Sequence, residues 1–539
     1  MSHPDTPTIE PHESHPSQGH IPLDAVWVYG GFFILCLFEL LAILVLNDFK
    51  FIYTMDDPYI HLAVAEEMMR GHYGVNGSEF CAPCSSPIWP FLIAPLARTP
   101  VGDLFPLVLN LVFGFLTCLV VLRGLRRAFP DDGSQSARAA MASVILLGCN
   151  VVGLVFTGME HNLQVLAAVL LVDGMLRFSA TGKVGKWLVL AAVAGPLVRY
   201  ENLALTAAAC GLLFLKDRKA LAFGVGCAAV AGLAAFSGFL ALLGLPLMPS
   251  SIIAKSHLTT GGSRLGGIAD AIGQTFTGNR GVLLLLMVTA LGWLSVRRGS
   301  EKTKHAALCL AGAGVLHVCF GAYGWYNRYE CYVFASLLYA IFVLAGGFAS
   351  GLVRRWTGGE ILVTAVLGLV ISYPYVAGMF TVPLAANNIY EQQFQMHRFV
   401  TGWWKKPVAV NDLGWVTYRN DAYVLDLWGL ASHDALNFRM AKKDPSWMTR
   451  VAEKHDAELA IVYESWVPGR QIGWIKVGQL HLSRERVTPA SPVVAFFATS
   501  PSAVDEIDRQ LVDFRKTLPP GVVLEARSDR EKKTPRAGG

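Results

Sequence analysis

Eleven apolar runs bounded by charge interrupt the chain, at about 26–46, 105–122, 139–156, 162–178, 187–199, 201–215, 220–245, 281–296, 305–322, 331–350 and 361–380. Most approach the roughly 20 residues that a helix needs to cross a hydrocarbon core of about 30 Å. Composition agrees, because only 16% of the 539 residues are charged against about 25% in a soluble domain. The reading is a polytopic α-helical membrane protein, and a disordered, collagen-like or disulfide-scaffold chain is excluded. The net charge of +5 is spread thinly and no basic stripe is interleaved with aromatics, so the sequence makes no case for nucleic acid.

Lys and Arg are retained on the cytoplasmic side of short loops. Alternate loops carry Arg123, Arg126, Arg127 and Arg138; Lys183 and Lys186; Lys216, Arg218 and Lys219; Arg297, Arg298, Lys302 and Lys304; Arg354 and Arg355, all on one side. The polar tail 1–25, which holds His3, His12, His15 and His20 and has no apolar signal region, is therefore expected in the cytoplasm. The membrane domain is expected over 26–380, with outward loops at 47–104 and 246–280. From 381 to 539 the chain turns polar, and short strands at 407–411, 423–426, 459–463 and 493–497 alternate with helices near 445–456 and 502–516. A last strand is expected at Val-Val-Leu-Glu, 522–525, and the alternation predicts an extracytoplasmic α/β domain. A turn is expected at Arg199-Tyr200-Glu201-Asn202, because one long span over 187–215 would break the charge pattern.

The first outward loop opens with Asp56-Asp57-Pro58. Asp before Pro matches a helix N-cap followed by proline, and Gly71 matches a stop, so a helix over 58–70 is expected. Ile60, Val64 and Met68 recur on one face of it, as on an interfacial helix. A second helix is expected from Ser85-Ser86-Pro87 towards Arg98. If Asp57 caps, Asp56 is the carboxylate left for general-base work, its pKa raised by its neighbour; the plainer alternative is that both acids only cap and solvate. Cys81 and Cys84 form Cys-Ala-Pro-Cys in this loop and read as a disulfide or two free thiols, since a metal site would need a second Cys or His pair. Most of the other cysteines, such as Cys36, Cys118 and Cys149, sit in apolar runs as small hydrophobes.

Cations at the outer interface are candidates for an anionic lipid phosphate: Lys255, Arg264, Arg199 and Arg328. The alternative is an ion pair within the membrane, Arg199 with Glu201 or Arg328 with Glu330. Glu160 falls where the third span emerges, and His257 and His317 read as structural. Trp403, Trp404, Trp415 and Trp428 are read as core, with sugar stacking as the other option.

Several stretches resemble GT-C glycosyltransferases, and most nearly the mycobacterial terminal arabinofuranosyltransferase family. They are Asp56-Asp57-Pro58-Tyr59-Ile60, Ala65 to Asn76, Ser85 to Leu92, Gly158-Met159-Glu160-His161, Pro249 to Lys255, Asn327-Arg328-Tyr329-Glu330, Asp412-Leu413-Gly414-Trp415 and Val424 to Leu430. The chain departs from the family's pattern at Cys81 to Ser86. The resemblance implies a multi-pass enzyme of the bacterial inner membrane, with about 11 transmembrane helices and a periplasmic C-terminal domain. It would be an inverting transferase moving a sugar, such as a pentofuranose, from a polyprenyl-phosphate carrier to a glycan, lipid or protein acceptor. Asp56 and Asp57 would be catalytic, with Asp56 favoured as the base. Lys255, Arg328, Glu160, Arg199, Tyr329 and His61 would bind substrate, and a divalent metal is optional. The rival readings are a lipid-linked sugar flippase, which would show internal repeats and polar residues at mid-membrane depth, and a non-catalytic envelope-assembly subunit.

Alkaline phosphatase fused after Gly539 is expected to be active, because the positive-inside pattern places 381–539 outside. An inactive phosphatase paired with an active cytoplasmic reporter at that point reverses the orientation.

Overall fold

The computed structural model describes residues 22–255, 264–297, 301–353, 358–441, 446–467 and 472–529; the histidine-bearing tail and His257 lie outside them. Each of the eleven apolar runs is helical. The bundle begins with α1 (Leu23–Leu46). The first loop then carries α2 (Asp57–Met68) and α3 (Trp89–Ala97). The bundle resumes with α4 (Phe105–Ala128), α5 (Gln135–Gly148), α6 (Val151–Val155), α7 (His161–Thr181), α8 (Lys186–Val198), α9 (Leu203–Leu215) and α10 (Lys219–Leu242). After the second loop, with α11 (Ser250–Lys255) and α12 (Arg264–Thr277), come α13 (Asn279–Arg297), α14 (Glu301–Phe320), α15 (Cys331–Val353) and α16 (Gly358–Phe380). Among the described residues, six of these helices are long and apolar enough to cross a membrane, and α8, α9 and part of α15 are shorter apolar helices. The chain is a polytopic membrane protein.

One of the runs is broken, and the fifth and sixth are divided by a turn. The third splits into α5 and α6 because Asn150 takes a left-handed conformation at φ 55°, which asparagine tolerates better than most residues. Between α8 and α9 the backbone of Arg199 is extended, φ −155° and ψ 137°, and the two helices form a hairpin. Thr206 Oγ1 donates to the Ala192 carbonyl at 2.7 Å and Asn202 Nδ2 to the Gly195 carbonyl at 3.2 Å, so this segment is two helices and not one long span. At the opposite end, Asp24 is fully buried and ion-paired with Arg126 at 2.6 Å and Arg138 at 2.7 Å.

Beyond α16, two helices, α17 (Val382–Glu391) and α18 (Gln393–Phe399), lead into a mixed six-stranded sheet. Its strands are β1 (Val408–Val410), β2 (Val424–Asp426), β3 (Leu459–Val462), β4 (Ile475–His481), β5 (Val493–Ala498) and β6 (Val523–Ala526), in the order β2-β1-β3-β5-β4-β6. β1 runs parallel to β2 and β3, and the remaining pairs are antiparallel. Helices α19 (Gly414–Thr417), α20 (His433–Met440), α21 (Trp447–Lys454) and α22 (Val504–Phe514) complete an α/β domain. The expected strands are present. β4 is additional: a register shift between Lys476 and Gly478 interrupts its alternation, so the period-two signal is lost.

The sheet docks on the first loop. Asn76 extends the edge of β2, donating from Nδ2 to the Val424 carbonyl at 3.0 Å and accepting from its amide at 2.9 Å. Tyr423 donates to Glu79 at 2.6 Å, and Asn387 of α17 reaches the Leu46 carbonyl at the end of α1 at 3.0 Å. This docking places α2 against protein, with no wet face. Every residue from Pro58 to Glu67 is buried, because α3 covers one side and α19 the other.

Replacing Asn76 with Ala leaves the amide and carbonyl of Val424 unpaired in a buried setting, at a cost of about 1–3 kcal/mol. We expect a lower melting temperature and faster proteolysis of the C-terminal domain for Asn76→Ala, with Asn76→Asp intermediate.

Candidate functional site

Acids and arginines from both loops, the bundle and the sheet domain meet where the loops join that domain. The two adjacent aspartates are separated by the fold. Asp56 occupies the N-cap position of α2 without capping it through its side chain. Both its oxygens turn to the C-terminal domain, accepting from the amides of Gly414 at 2.6 Å and Trp415 at 2.8 Å. Asp57, the first helical residue, takes Arg328 Nη2 at 2.6 Å. The sequence expectation left Asp56 available beside a capping Asp57; in the fold Asp56 is claimed by an amide pair 358 and 359 residues away and Asp57 by Arg328. Burial above all, and then the neighbouring Asp412 carboxylate, drive the Asp56 carboxyl well above the ordinary range; the amides of Trp415 and Gly414 pull the other way.

The Asp412-Leu413-Gly414-Trp415 motif is built for this clamp. Asp412 Oδ2 accepts from Tyr463 at 2.6 Å and Gln393 at 2.9 Å, which fixes the turn that aims the two amides. Gly414 must lack a side chain, since a Cβ there would collide with the Asp56 carbonyl and carboxyl. Trp415 stacks on Tyr59 of α2 at 4.0 Å.

Arg328 is presented by an unusual turn. Gly324, Trp325, Tyr326 and Asn327 all have left-handed φ, 81°, 38°, 59° and 57°, and three of them bear side chains that disfavour it by about 1–2 kcal/mol each. The turn is held by Glu330, which accepts from the Gly324 amide at 2.9 Å and is itself fixed by Tyr375 at 2.9 Å and Arg280 at 3.2 Å. Glu330 thus pairs with Arg280, and the expected Arg328–Glu330 alternative does not form. Arg328 is 2% exposed; beyond Asp57, its Nε and Nη1 have no hydrogen-bond partner among the described residues.

The other expected ion pair is present. Arg199 binds Glu201 at 2.6 Å and Glu160 at 2.8 Å, and donates to Ser85 at 3.2 Å. Tyr329 lies between the two cations, 5.3 Å from Arg328 and 5.8 Å from Arg199. His61 is buried on α2 near His161, whose two ring nitrogens have no partner among the described residues. The side chains of Lys255 and Arg264 lie outside the described residues. Cys81 and Cys84 are both buried thiols, and Ala82 between them accepts from the Ser250 amide at 3.0 Å, tying the two loops together.

A cavity of about 570 Å³ opens beside this cluster, lined by Arg199, Arg328 and Tyr329 on one side and by Leu203, Leu316 and Phe320 of the bundle on another. Ser251 and Ile252 of α11 close it, and His317 on its wall shares a hydrogen bond with Tyr332 at 3.0 Å. Sequence reasoning missed Asp412, Tyr463 and Arg280 as supports of the site; only the motif around Gly414 signalled the first. Among the described residues no group of three or more His, Cys, Asp or Glu could hold a metal. Asp56 is taken up by amides and Asp57 by a guanidinium, so the acidic pair in this arrangement does not fit a divalent ion.

Fold and site together define a membrane protein whose C-terminal α/β domain clamps an acidic pair beside an arginine-lined cavity. A family model described as "Domain of unknown function (DUF8728)" matches residues 387–497. No curated protein matches. Among solved structures, the chain is similar to the oligosaccharyltransferase of Archaeoglobus fulgidus in the apo form (11% identity, 87% of this chain and 74% of that one, TM-score 0.45). It is also similar to ArnT from Cupriavidus metallidurans bound to undecaprenyl phosphate (12%, 88% and 98%, 0.46). A third is Archaeoglobus fulgidus AglB with an inhibitory peptide and a dolichol-phosphate (13%, 88% and 74%, 0.47).

Gly414→Ala is expected to break the clamp. Limited proteolysis should cut the C-terminal domain faster in Gly414→Ala than in wild type, with the helix content of the membrane region unchanged. Equal cleavage rates would mean that the contact with Asp56 does not hold the domain.

Proposed function

We propose that the protein is an inverting glycosyltransferase that moves a sugar from a polyprenyl-phosphate carrier to an envelope acceptor on the periplasmic face of a bacterial inner membrane. The observation that carries this reading is Arg328: a buried guanidinium, two of whose nitrogens have no partner among the described residues, at the wall of a cavity whose other wall is bundle helix, one hydrogen bond from a carboxylate. A lipid-linked phosphate has the matching parts, an apolar tail for Leu203, Leu316 and Phe320 and an anion for the guanidinium. The sequence resemblance to arabinofuranosyltransferases supports a pentofuranose as the sugar.

In this mechanism Asp57 is the base. Its carboxylate pairs with the Arg328 guanidinium at the cavity wall, whereas both oxygens of Asp56 are engaged by amides. Asp57 takes the proton of the acceptor hydroxyl as the oxygen attacks the anomeric carbon from the face opposite the phosphate. The glycosidic C–O bond to phosphate breaks with inversion, and the phosphate leaves already ionised, so no strong general acid is required. As Arg328 turns its donors to the leaving phosphate, it releases part of its hold on Asp57 and strengthens the base. Asp56 positions α2 through the clamp. Arg199, with Glu160 and Glu201, holds α7, the α8–α9 turn and Tyr329 in place.

Mass spectrometry of envelope glycans from cells with and without the gene tests the reading: one sugar residue should be lost, and unchanged glycans overturn it. With purified protein, Asp57→Asn is expected to lose about 10²–10⁴ in kcat with donor KM unchanged. Arg328→Ala should raise donor KM about tenfold or more, the worth of a charge-assisted contact. Arg199→Ala should instead fail to accumulate, because a buried ion pair loses one partner, a loss of about 3–5 kcal/mol. An Asp57→Asn enzyme keeping more than about a tenth of its turnover sinks the assignment of the base.

A further inference from the structure

Trp428 and Trp466 stand outside the roles described so far. Their rings lie 4.7 Å apart. Trp466 is 38% exposed and is the exposed aromatic of the C-terminal domain among its described residues, and Trp428 is half-buried. On Trp428 lies the guanidinium of Arg439, 4.0 Å from the ring centroid. That arginine has a long bond to the Ala254 carbonyl, 3.4 Å, and its buried Nη1 has no partner among the described residues. The indole does not drift. Asp426 at the end of β2 accepts from the amides of Trp428, Leu430 and Ala431, and Gly429, at φ 86°, is pressed against Leu436.

Both ends of this ladder reach the candidate site. Tyr463 packs edge-on against Trp466 at 5.3 Å, and its hydroxyl donates to Asp412 beside Asp56. At the other end, Arg439 touches α11, whose Ser251 and Ile252 line the cavity. An open indole face, a fixed second indole and an orphaned planar donor suit a ligand with apolar C–H faces and hydroxyl edges. Rigid aromatics with a few placed polar groups are how such ligands are oriented. A lone apolar surface patch would need neither the stacked arginine nor the amide cage beneath Trp428.

We infer that Trp466, Trp428 and Arg439 form a subsite for a neutral glycan acceptor, stacking a sugar residue one or more units back from the hydroxyl presented to Asp57. This inference rests on the transferase reading for its direction, and it narrows the acceptor from glycan, lipid or protein to glycan. Trp466 would offer its open face, and Arg439 Nη1 would donate to a ring oxygen or hydroxyl.

The test is equilibrium binding to the full-length protein in nanodiscs, without donor. The probes are two neutral oligosaccharides, a linear α-1,5-arabinofuranosyl pentasaccharide and a linear α-1,6-mannosyl pentasaccharide. Saturable binding of at least one is expected, weakened tenfold or more in both Trp466→Ala and Arg439→Gln and largely restored in Trp466→Tyr, with melting temperatures unchanged. Failure of wild type to bind either probe, or wild-type affinity in Trp466→Ala, overturns the subsite. Because no turnover is measured, saturable binding by a protein without transferase activity would keep the subsite and sink the transferase reading. Transfer to a glycan unaffected by Trp466→Ala would do the reverse.

Discussion

The acids named at the site each have a partner among the described residues, and that constraint organises what surrounds them. Taking an ion out of water costs several kcal/mol unless a partner replaces the solvent. Each buried acid of the site accordingly has one: Asp57 has Arg328, Glu160 and Glu201 share Arg199, and Glu330 has Arg280 and Tyr375. Asp56 is the exception in kind, since its partners are amides and not a cation. Those amides belong to another domain, so satisfying one carboxylate also docks the sheet on the bundle.

The same accounting explains why the strained turn before Arg328 persists. Three consecutive non-glycine residues in left-handed conformation survive only where the surroundings over-determine them. Here Glu330 grips the Gly324 amide, and Asn327 donates to the Pro374 carbonyl and accepts through its own carbonyl from Asn150. Asn150 is itself the left-handed residue that breaks the third span. Two irregularities far apart in sequence are thus halves of one contact, and together they deliver a guanidinium to the cavity wall.

Much of this architecture was legible in the sequence and some was not, for definable reasons. Apolar runs are local signals, and all eleven are helices, as are the expected strands in the sheet. Which acid is bound by what is a long-range property, so spacing alone could not show that the amides of Gly414 and Trp415 take Asp56 and that Arg328 takes Asp57. The two candidate ion pairs at i and i+2 divide by backbone. Arg199 is extended, so it and Glu201 share a face and meet. Arg328 and Glu330 lie on a turn entering α15, where residues two apart point away from each other. The left-handed run Trp325-Tyr326-Asn327 has no glycine signature, and nothing short of the tertiary contacts reveals it.

The clamp on Asp56 also sets how the molecule can be divided. A carboxylate that holds another domain's backbone, in a pocket too tight for a Cβ, makes the loop 47–104 and the Asp412–Trp415 turn a single exchangeable unit split across the chain. A chimera that takes its bundle from one homologue and its sheet domain from another will join correctly only when both pieces travel together. Swapped separately, each half carries a surface shaped for a partner it has left behind.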